Sequence, residues 1–248
     1  MNTIAIIPAR YASTRFPGKP LIDIAGKSMI QRVYERASQA KSIQTVVVAT
    51  DDRRIADHVQ SFEGQFIMTS ESHSSGTDRC AEAASHFLDA DIIVNIQGDE
   101  PFIKPEQIDL LTSCFQNDSV SIATLVKKVE DAEELFNANI PKVTVTKDMK
   151  ALYFSRSTIP YLRGAEQSLW FDKHVYFKHI GIYGFRRDIL KKLTTLPISP
   201  LEKAESLEQL RWLEHGYQIQ TAETQFQSHG IDVPEDVEKV IRLFRDSL

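Results

Sequence analysis

The sequence predicts an α/β protein built on a mostly parallel, doubly wound sheet, with a strand-rich addition after residue 130. Three observations carry this. Apolar, β-rich runs alternate with helix-like segments as far as residue 129, the rhythm of parallel βαβ units. Those runs are nearly continuous in hydrophobicity, which marks strands covered on both faces. Beyond residue 130 strand-like segments follow one another closely, which predicts a mixed or antiparallel addition.

Taken in order, the expected strands are "TIAIIPA" (3–9), "QTVVVAT" (44–50), "QFIMTS" (65–70), "DIIVNIQGD" (91–99) and "SIATLVKKV" (121–129). The helices between them are expected at 28–40, 52–62, 77–88 and 105–115. "PKVTVTKD" (141–148), "ALYFSRSTIPY" (151–161) and "YFKHIGIYGF" (176–185) form the strand-rich addition. A helix over 200–216 ends at Gly216, since glycine suits the left-handed residue that closes a helix. A strand at 218–224 and a helix from Pro234 complete the chain, proline fitting a first helical position.

The chain has 248 residues, 42% of them hydrophobic and 25% charged, and no Gly/Ser/Pro-rich linker interrupts it. One large domain is therefore expected, since a chain this long can bury roughly 70–75% of its unfolded surface. A net charge of −5 argues against a broad nucleic-acid surface, so any anion site must be a local cluster. Cys80 and Cys114 lack zinc-site or redox spacing; buried, reduced thiols in helices are expected. With no leader pattern and no membrane-length apolar run, a cytoplasmic protein is expected.

Ligands of open α/β sheets bind beyond the carboxyl ends of the strands, which ranks three loops. The first, "RYASTRFPGKP" (10–20), carries Arg10, Arg15 and Lys19. It has no G-x-G-x-x-G. Its "GKP" places Pro20 where a phosphate loop needs a hydroxyl residue with a backbone N–H. Another phosphate grip and a solvated connection both remain open, guanidinium and ammonium groups being suited to phosphate oxygens. The second loop, "ESHSSGTDR" (71–79), leads into a helix N-terminus, where Ser75 can serve either a ligand or the helix cap. Arg79 sits in that first turn, unfavourably for the helix dipole unless an anion meets it. In the third, "QGDEP" (97–101), Asp99 reads either as a turn acid or as a magnesium ligand beside phosphates. Asp232 in "HGIDVPED" precedes a helix, and spacing alone does not bring it near Asp99.

Together "IIPARYASTRFPGKPL", "HSSGTDR", "NIQGDEP", "LYFSR", "HIGIYGF", "SLEQLR" and "GIDVPED" closely resemble the 3-deoxy-manno-octulosonate cytidylyltransferase (CMP-Kdo synthetase) family, from about residue 2 to about residue 242. The opening motif is shared more widely among sugar-activating nucleotidyltransferases; "YFSR", "HIGIYG" and "LEQLR" are what narrow it. The resemblance implies one domain over 1–248 with the nucleotide-diphospho-sugar transferase fold, and a sugar-binding and dimerisation lobe at roughly 130–216. It implies that CTP and the acid sugar Kdo give CMP-Kdo and pyrophosphate, with Mg²⁺, in a homodimer that feeds lipopolysaccharide synthesis. By the same resemblance Arg10 and Lys19 grip the triphosphate with Arg15 as helper, and Arg10, Lys19 and Asp99 are catalytic. Asp99 and Asp232 would hold the metal; Pro8, Ala9, Ser75, Gly76 and Arg79 would surround cytidine; Gln97 would touch nucleotide or sugar. Arg156, His179, Tyr183, Glu208 and Gln209 would bind the sugar. Two departures stand out: Val233 occupies a position where the family pattern has Thr, and residues 162–173 follow no family pattern.

Two competing readings remain. Cytidylyl transfer to another acid sugar keeps the class and changes the substrate. A catalytically silent nucleotide-binding module keeps the scaffold and predicts CTP binding without turnover, against which the intact set Arg10, Lys19, Asp99 and Asp232 speaks.

Overall fold

The structure, a computed structural model, describes residues 1–12, 16–227 and 229–243. In chain order the first strands are β1 (Thr3–Ala9), β2 (Asp23–Ile24), β3 (Lys27–Ser28), β4 (Thr45–Thr50), β5 (Phe66–Met68) and β6 (Ile92–Asn95). They continue as β7 (Ile122–Lys128), β8 (Lys142–Val145), β9 (Ala151–Ser155), β10 (Phe177–Arg186) and β11 (Gln220–Glu223). The helices are α1 (Met29–Ser38), α2 (Arg53–Ser61), α3 (Gly76–Ala84), α4 (Pro105–Ser113) and α5 (Ala132–Phe136). After these come α6 (Trp170–Lys173), α7 (Arg187–Leu193), α8 (Pro200–Glu205), α9 (Gln209–Glu214) and α10 (Pro234–Leu243).

Pleating sends successive side chains to opposite faces, and both faces of this sheet are apolar. Ala5 and Ile7 of β1, Val46 and Val48 of β4, and Ile92 and Val94 of β6 join one core with Ile30, Val33, Ile55, Val59, Ile108 and Leu111 of α1, α2 and α4. Ile4, Ile6, Val47, Ala49 and Ile93 face the other way, onto Cys80 and Ala83 of α3, Leu190 of α7 and Leu210 and Trp212 of α9. The continuous hydrophobic strands thus mark a sheet sandwiched between helices.

The strand order is β11-β7-β10-β6-β1-β4-β5, with β8 and β9 attached through β10. Pairs β1–β4, β1–β6, β4–β5 and β7–β11 are parallel. Strand β10 runs antiparallel to β6 and β7 and lies between them. The strand-rich segment therefore enters the main sheet, and "HIGIYGF" crosses its centre. Only the β8–β9 ribbon extends outward, paired to the first residues of β10.

Several expected boundaries shift. The strand expected over 91–99 ends at Asn95, and residues 96–99 form the loop beyond it. The helix expected over 200–216 is two helices, broken where Ser206 adopts φ 51°. Cys80 is buried in α3, while Cys114 opens a 3-10 turn and is only half-buried. The hairpin β2–β3 and helices α5, α6 and α7 lay outside the expected elements; each is seven residues or shorter, too short to show a clear period. No helix among the described residues is long and apolar enough to cross a membrane.

Candidate active site

Four chain segments meet where β1 ends. Pro8, Ala9 and Arg10 leave the strand; Lys19 and Pro20 come from the following loop; Ser75, Gly76 and Arg79 open α3; Gln97 and Asp99 follow β6; Asp232 precedes α10. All of these residues line one cavity of about 260 Å³. Two glycines permit the approach. A Cβ on Gly98 would lie 2.9 Å from the Pro8 carbonyl oxygen, so the β6 loop can close on β1 only without a side chain there, while one on Gly76, 3.3 Å from the Pro8 ring, would crowd that ring. Arg15 lies outside the described residues.

The first loop is fastened from within. Gly18 takes φ +74° and donates its N–H to the Tyr11 carbonyl at 3.0 Å, while the Arg54 guanidinium stacks 3.3 Å from the centre of the Tyr11 ring. This turn aims Lys19 inward. Its Nζ donates to Asp99 Oδ2 at 2.7 Å and to the Ile231 carbonyl at 2.9 Å, and it stands 3.5 Å from Asp232 Oδ1. The Ile231 N–H in turn donates to the Asp99 carbonyl at 2.9 Å. Two carboxylates far apart in sequence therefore converge on one ammonium, which spacing could not foresee. Among the described residues no three His, Cys, Asp or Glu side chains gather into a metal cage. Two hard oxygen donors beside a polar cavity do fit Mg²⁺, which takes one or two carboxylates and leaves its other positions to water and phosphate.

Both readings of the second loop coexist. Ser75 caps α3, its hydroxyl accepting the Asp78 N–H at 3.1 Å, and it lines the cavity as well. Arg79 finds an anion inside the protein: Nη2 meets Asp51 Oδ2 at 2.6 Å and Nη1 donates to Thr69 Oγ1 at 2.5 Å. Its misfit with the helix dipole is thus answered by Asp51, and the guanidinium is held rigidly against the cavity wall.

Arg156, His179, Tyr183, Glu208 and Gln209 do not line this cavity; they stand behind it on the α3–α9 face of the sheet. Glu208 connects the two regions, because Thr77 of α3 donates its hydroxyl to Glu208 Oε2 at 2.5 Å. Burial raises the Glu208 carboxyl above its ordinary pKa, against the opposing effects of Thr77, Arg211 and Ser75. Tyr183 packs edge-on against Trp212 at 5.0 Å and beside His179 at 5.3 Å. Burial, reinforced by Glu208, pushes its phenol well up. Burial lowers His179 to about 3, so its ring is neutral at physiological pH. Arg156 directs Nε to the Glu205 carbonyl (2.6 Å), Nη1 to that of Ala138 (3.1 Å) and Nη2 to that of Ser206 (3.3 Å). It clamps the α8–α9 break.

Among the described residues, four buried polar atoms on this face make no well-formed hydrogen bond: Asn95 Oδ1, Tyr183 OH, Gln209 Nε2 and Trp212 Nε1. Asn95 and Tyr183 are directly paired across β6 and β10. Buried polar groups are rarely left unpaired, because each costs about 1–3 kcal/mol; a group of both donors and acceptors matches a polyhydroxylated ligand. Sequence reading missed Asn95 and Trp212. The signal for Asn95 was there, a polar residue inside the apolar run "DIIVNIQ"; nothing in the sequence singled out Trp212.

A cytidylyltransferase family model matches residues 4–221. The chain is 54% identical to the 3-deoxy-manno-octulosonate cytidylyltransferase of Parabacteroides distasonis, with 97% of each chain covered. It is 55% identical to that of Cytophaga hutchinsonii, over 97% of this chain and 96% of the relative. The solved structure of a CMP:2-keto-3-deoxy-manno-octonic acid synthetase complexed with CTP superposes with a TM-score of 0.92 at 46% identity, covering all of both chains. With the motifs in order along the whole length and the loops converging at the end of β1, the chain belongs to the 3-deoxy-manno-octulosonate cytidylyltransferase family.

Proposed function

We propose that this protein transfers CMP from CTP to the anomeric hydroxyl of Kdo, releasing pyrophosphate. The observation that supports it best is the convergence of Arg10, Lys19, Asp99 and Asp232 on one cavity at the carboxyl end of β1. In this reading the sugar hydroxyl attacks the α-phosphorus in line, a P–O bond forms to the sugar, and the bond to pyrophosphate breaks. Such a transfer needs positioning and charge neutralisation more than covalent catalysis. Arg10 and Lys19 hold the triphosphate oxygens. Arg79, fixed by Asp51 and Thr69, offers its remaining N–H edge to the base together with the main chain of Pro8 and Ala9.

Asp99 and Asp232 would hold Mg²⁺, which when bound neutralises charge on the phosphate oxygens. The sugar lies against Gln97, His179, Tyr183, Glu208 and Gln209, joined by Asn95 and Trp212, whose unpartnered atoms supply hydrogen bonds to its hydroxyls. Arg156 bounds this region from the α8–α9 break. The whole chain acts as one domain, with the 130–216 segment carrying the sugar side and a homodimer contact. Its setting is the cytoplasm, and its product serves lipopolysaccharide synthesis. Incubation with CTP, Kdo and Mg²⁺ should release pyrophosphate in a Kdo-dependent manner. Folded protein that releases none above the no-sugar control would refute the assignment, and parallel runs with sialic acid and an amino-substituted Kdo rank the substrates.

A further inference from the structure

Strand β10 is irregular where it passes β7. Ile180 pairs with Leu125 and Tyr183 with the adjacent Thr124, so two residues of β10 are looped out between them. A bulge of this kind interrupts the ladder and re-aims side chains, often beside an active site. Thr124, fully buried, sits in the gap with its Oγ1 at 2.7 Å from the Ile182 carbonyl, 3.2 Å from the Ile180 carbonyl and 3.0 Å from His179 Nε2, and the Tyr183 phenol lies beside it, able to donate to its second lone pair.

Proton counting resolves these contacts. A threonine hydroxyl has one proton and two lone pairs. Two oxygens 2.7 Å apart repel unless a proton lies between them, so the Thr124 proton goes to the bulge carbonyls, with Ile182 the nearer. Toward His179 the hydroxyl can then only accept, and Nε2 must be the donor. We propose that Thr124 is a positioning residue that fixes His179 as the neutral tautomer protonated on Nε2, presenting Nδ1 as a bare hydrogen-bond acceptor. The unfavourable charging of this buried ring agrees with that state. Among the described residues no donor meets Nδ1.

The consequence concerns how the sugar sits, and it rests on the reading of His179 as a sugar-binding residue. A bare imidazole nitrogen attracts a hydroxyl, which can donate, and repels a carboxylate, which can only accept. The polyol end of the acid sugar therefore faces His179, and its carboxylate lies elsewhere.

The test begins without substrate. Protein labelled with ¹⁵N-histidine, with the His179 signals assigned by their loss in His179→Gln, should show the Nε2–H pattern in two-bond ¹H–¹⁵N correlations from pH 5 to 8. Thr124→Ser should keep that pattern and the wild-type KM for Kdo. Thr124→Val, close in shape and without the hydroxyl, should populate the other tautomer and raise KM for Kdo about five- to tenfold, as loss of one hydrogen bond implies, with KM for CTP within about twofold. A wild-type ring protonated on Nδ1, or charged at pH 7, would overturn the proposal; so would a folded Thr124→Val with the wild-type tautomer and Kdo KM. Absence of Kdo-dependent pyrophosphate release from wild type would refute the substrate reading instead, and the tautomer seen in that same sample still decides this one.

Discussion

Tyr183 buries a hydroxyl that makes no well-formed hydrogen bond among the described residues, with only the Thr124 side chain beside it, and that makes its removal informative. Deleting a buried polar atom that lacked a well-formed bond costs little stability. Tyr183→Phe should therefore unfold within about 1 kcal/mol of wild type while KM for Kdo rises several-fold; an unchanged KM would take the phenol out of the sugar site. Asp99 poses the converse case, since Lys19 contacts both it and Asp232. Asp99→Asn keeps the shape and should lower Mg²⁺-dependent turnover by about 10²-fold or more with the circular dichroism unchanged, and near-normal turnover would remove it from the metal site.

His179 also shapes the pH dependence. Its folded-state pKa, lowered to about 3 by burial, lies below the unfolded value near 6.5. The neutral ring's contribution is thus complete above that unfolded value and is lost as pH falls from there toward 3. Linkage sets this at about 2 kcal/mol between pH 7 and pH 5. Urea midpoints at the two pH values should converge for His179→Gln relative to wild type. The sugar-side residues were legible only through family resemblance; strand-end position marked Asp99 as a candidate, but what brings Asp232 beside it is Lys19, whose contacts to Asp99 and to the Ile231 carbonyl cross 80 and 212 residues of chain.

Among the elements, the break between α8 and α9 sets where Glu208 and Gln209 stand. A continuous helix was expected because "PLEKAESLEQLRWLEHG" holds helix formers throughout and ends in glycine. The ending holds, with Gly216 at φ +82°. The interruption at Ser206 could not be read locally, because what holds it is distant: Arg156 binds the carbonyls of Glu205 and Ser206, and Thr77 draws Glu208 toward α3. Arg156→Ala should lower stability by about 1 kcal/mol, because the part-buried Glu205 carbonyl loses its donor while the exposed carbonyls of Ala138 and Ser206 can turn to water. It should also raise KM for Kdo more than KM for CTP, because Glu208 and Gln209 follow the break; equal effects on both would mean that Arg156 only supports the fold. The helix expected after "GID" shows the reverse lesson. Val233 has no capping side chain, yet Asp236 accepts the N–H groups of Asp232 and Val233 at 2.9 and 3.1 Å, so the helix start is secured from inside its own first turn.

For the molecule as a whole, the alternation of strands and helices made the parallel half of the sheet legible. It could not reveal that β10 lies between β6 and β7, because antiparallel insertion leaves no local mark in an apolar strand. The segment that brings β10 also exposes the apolar side chains of Leu152, Tyr161, Leu169 and Val175, and it is the segment proposed to carry the homodimer contact. Light scattering should give about twice the 28.2 kDa chain mass, and a monomer at micromolar concentration would refute the dimer.

The strap formed by Ile231 and Asp232 has a further consequence, in time. The central strand and the first cationic loop leave the ribosome early, and the sheet can assemble around them, but the Lys19 ammonium gains its Ile231 carbonyl and second carboxylate only from residues 231 and 232. The carboxyl-terminal segment also supplies Ile231 and Val240 to a small core with Ile24, Met29 and Phe102. On the roles proposed for Lys19 and Asp232, a chain cut before residue 231 should turn over no CTP even where its sheet has assembled.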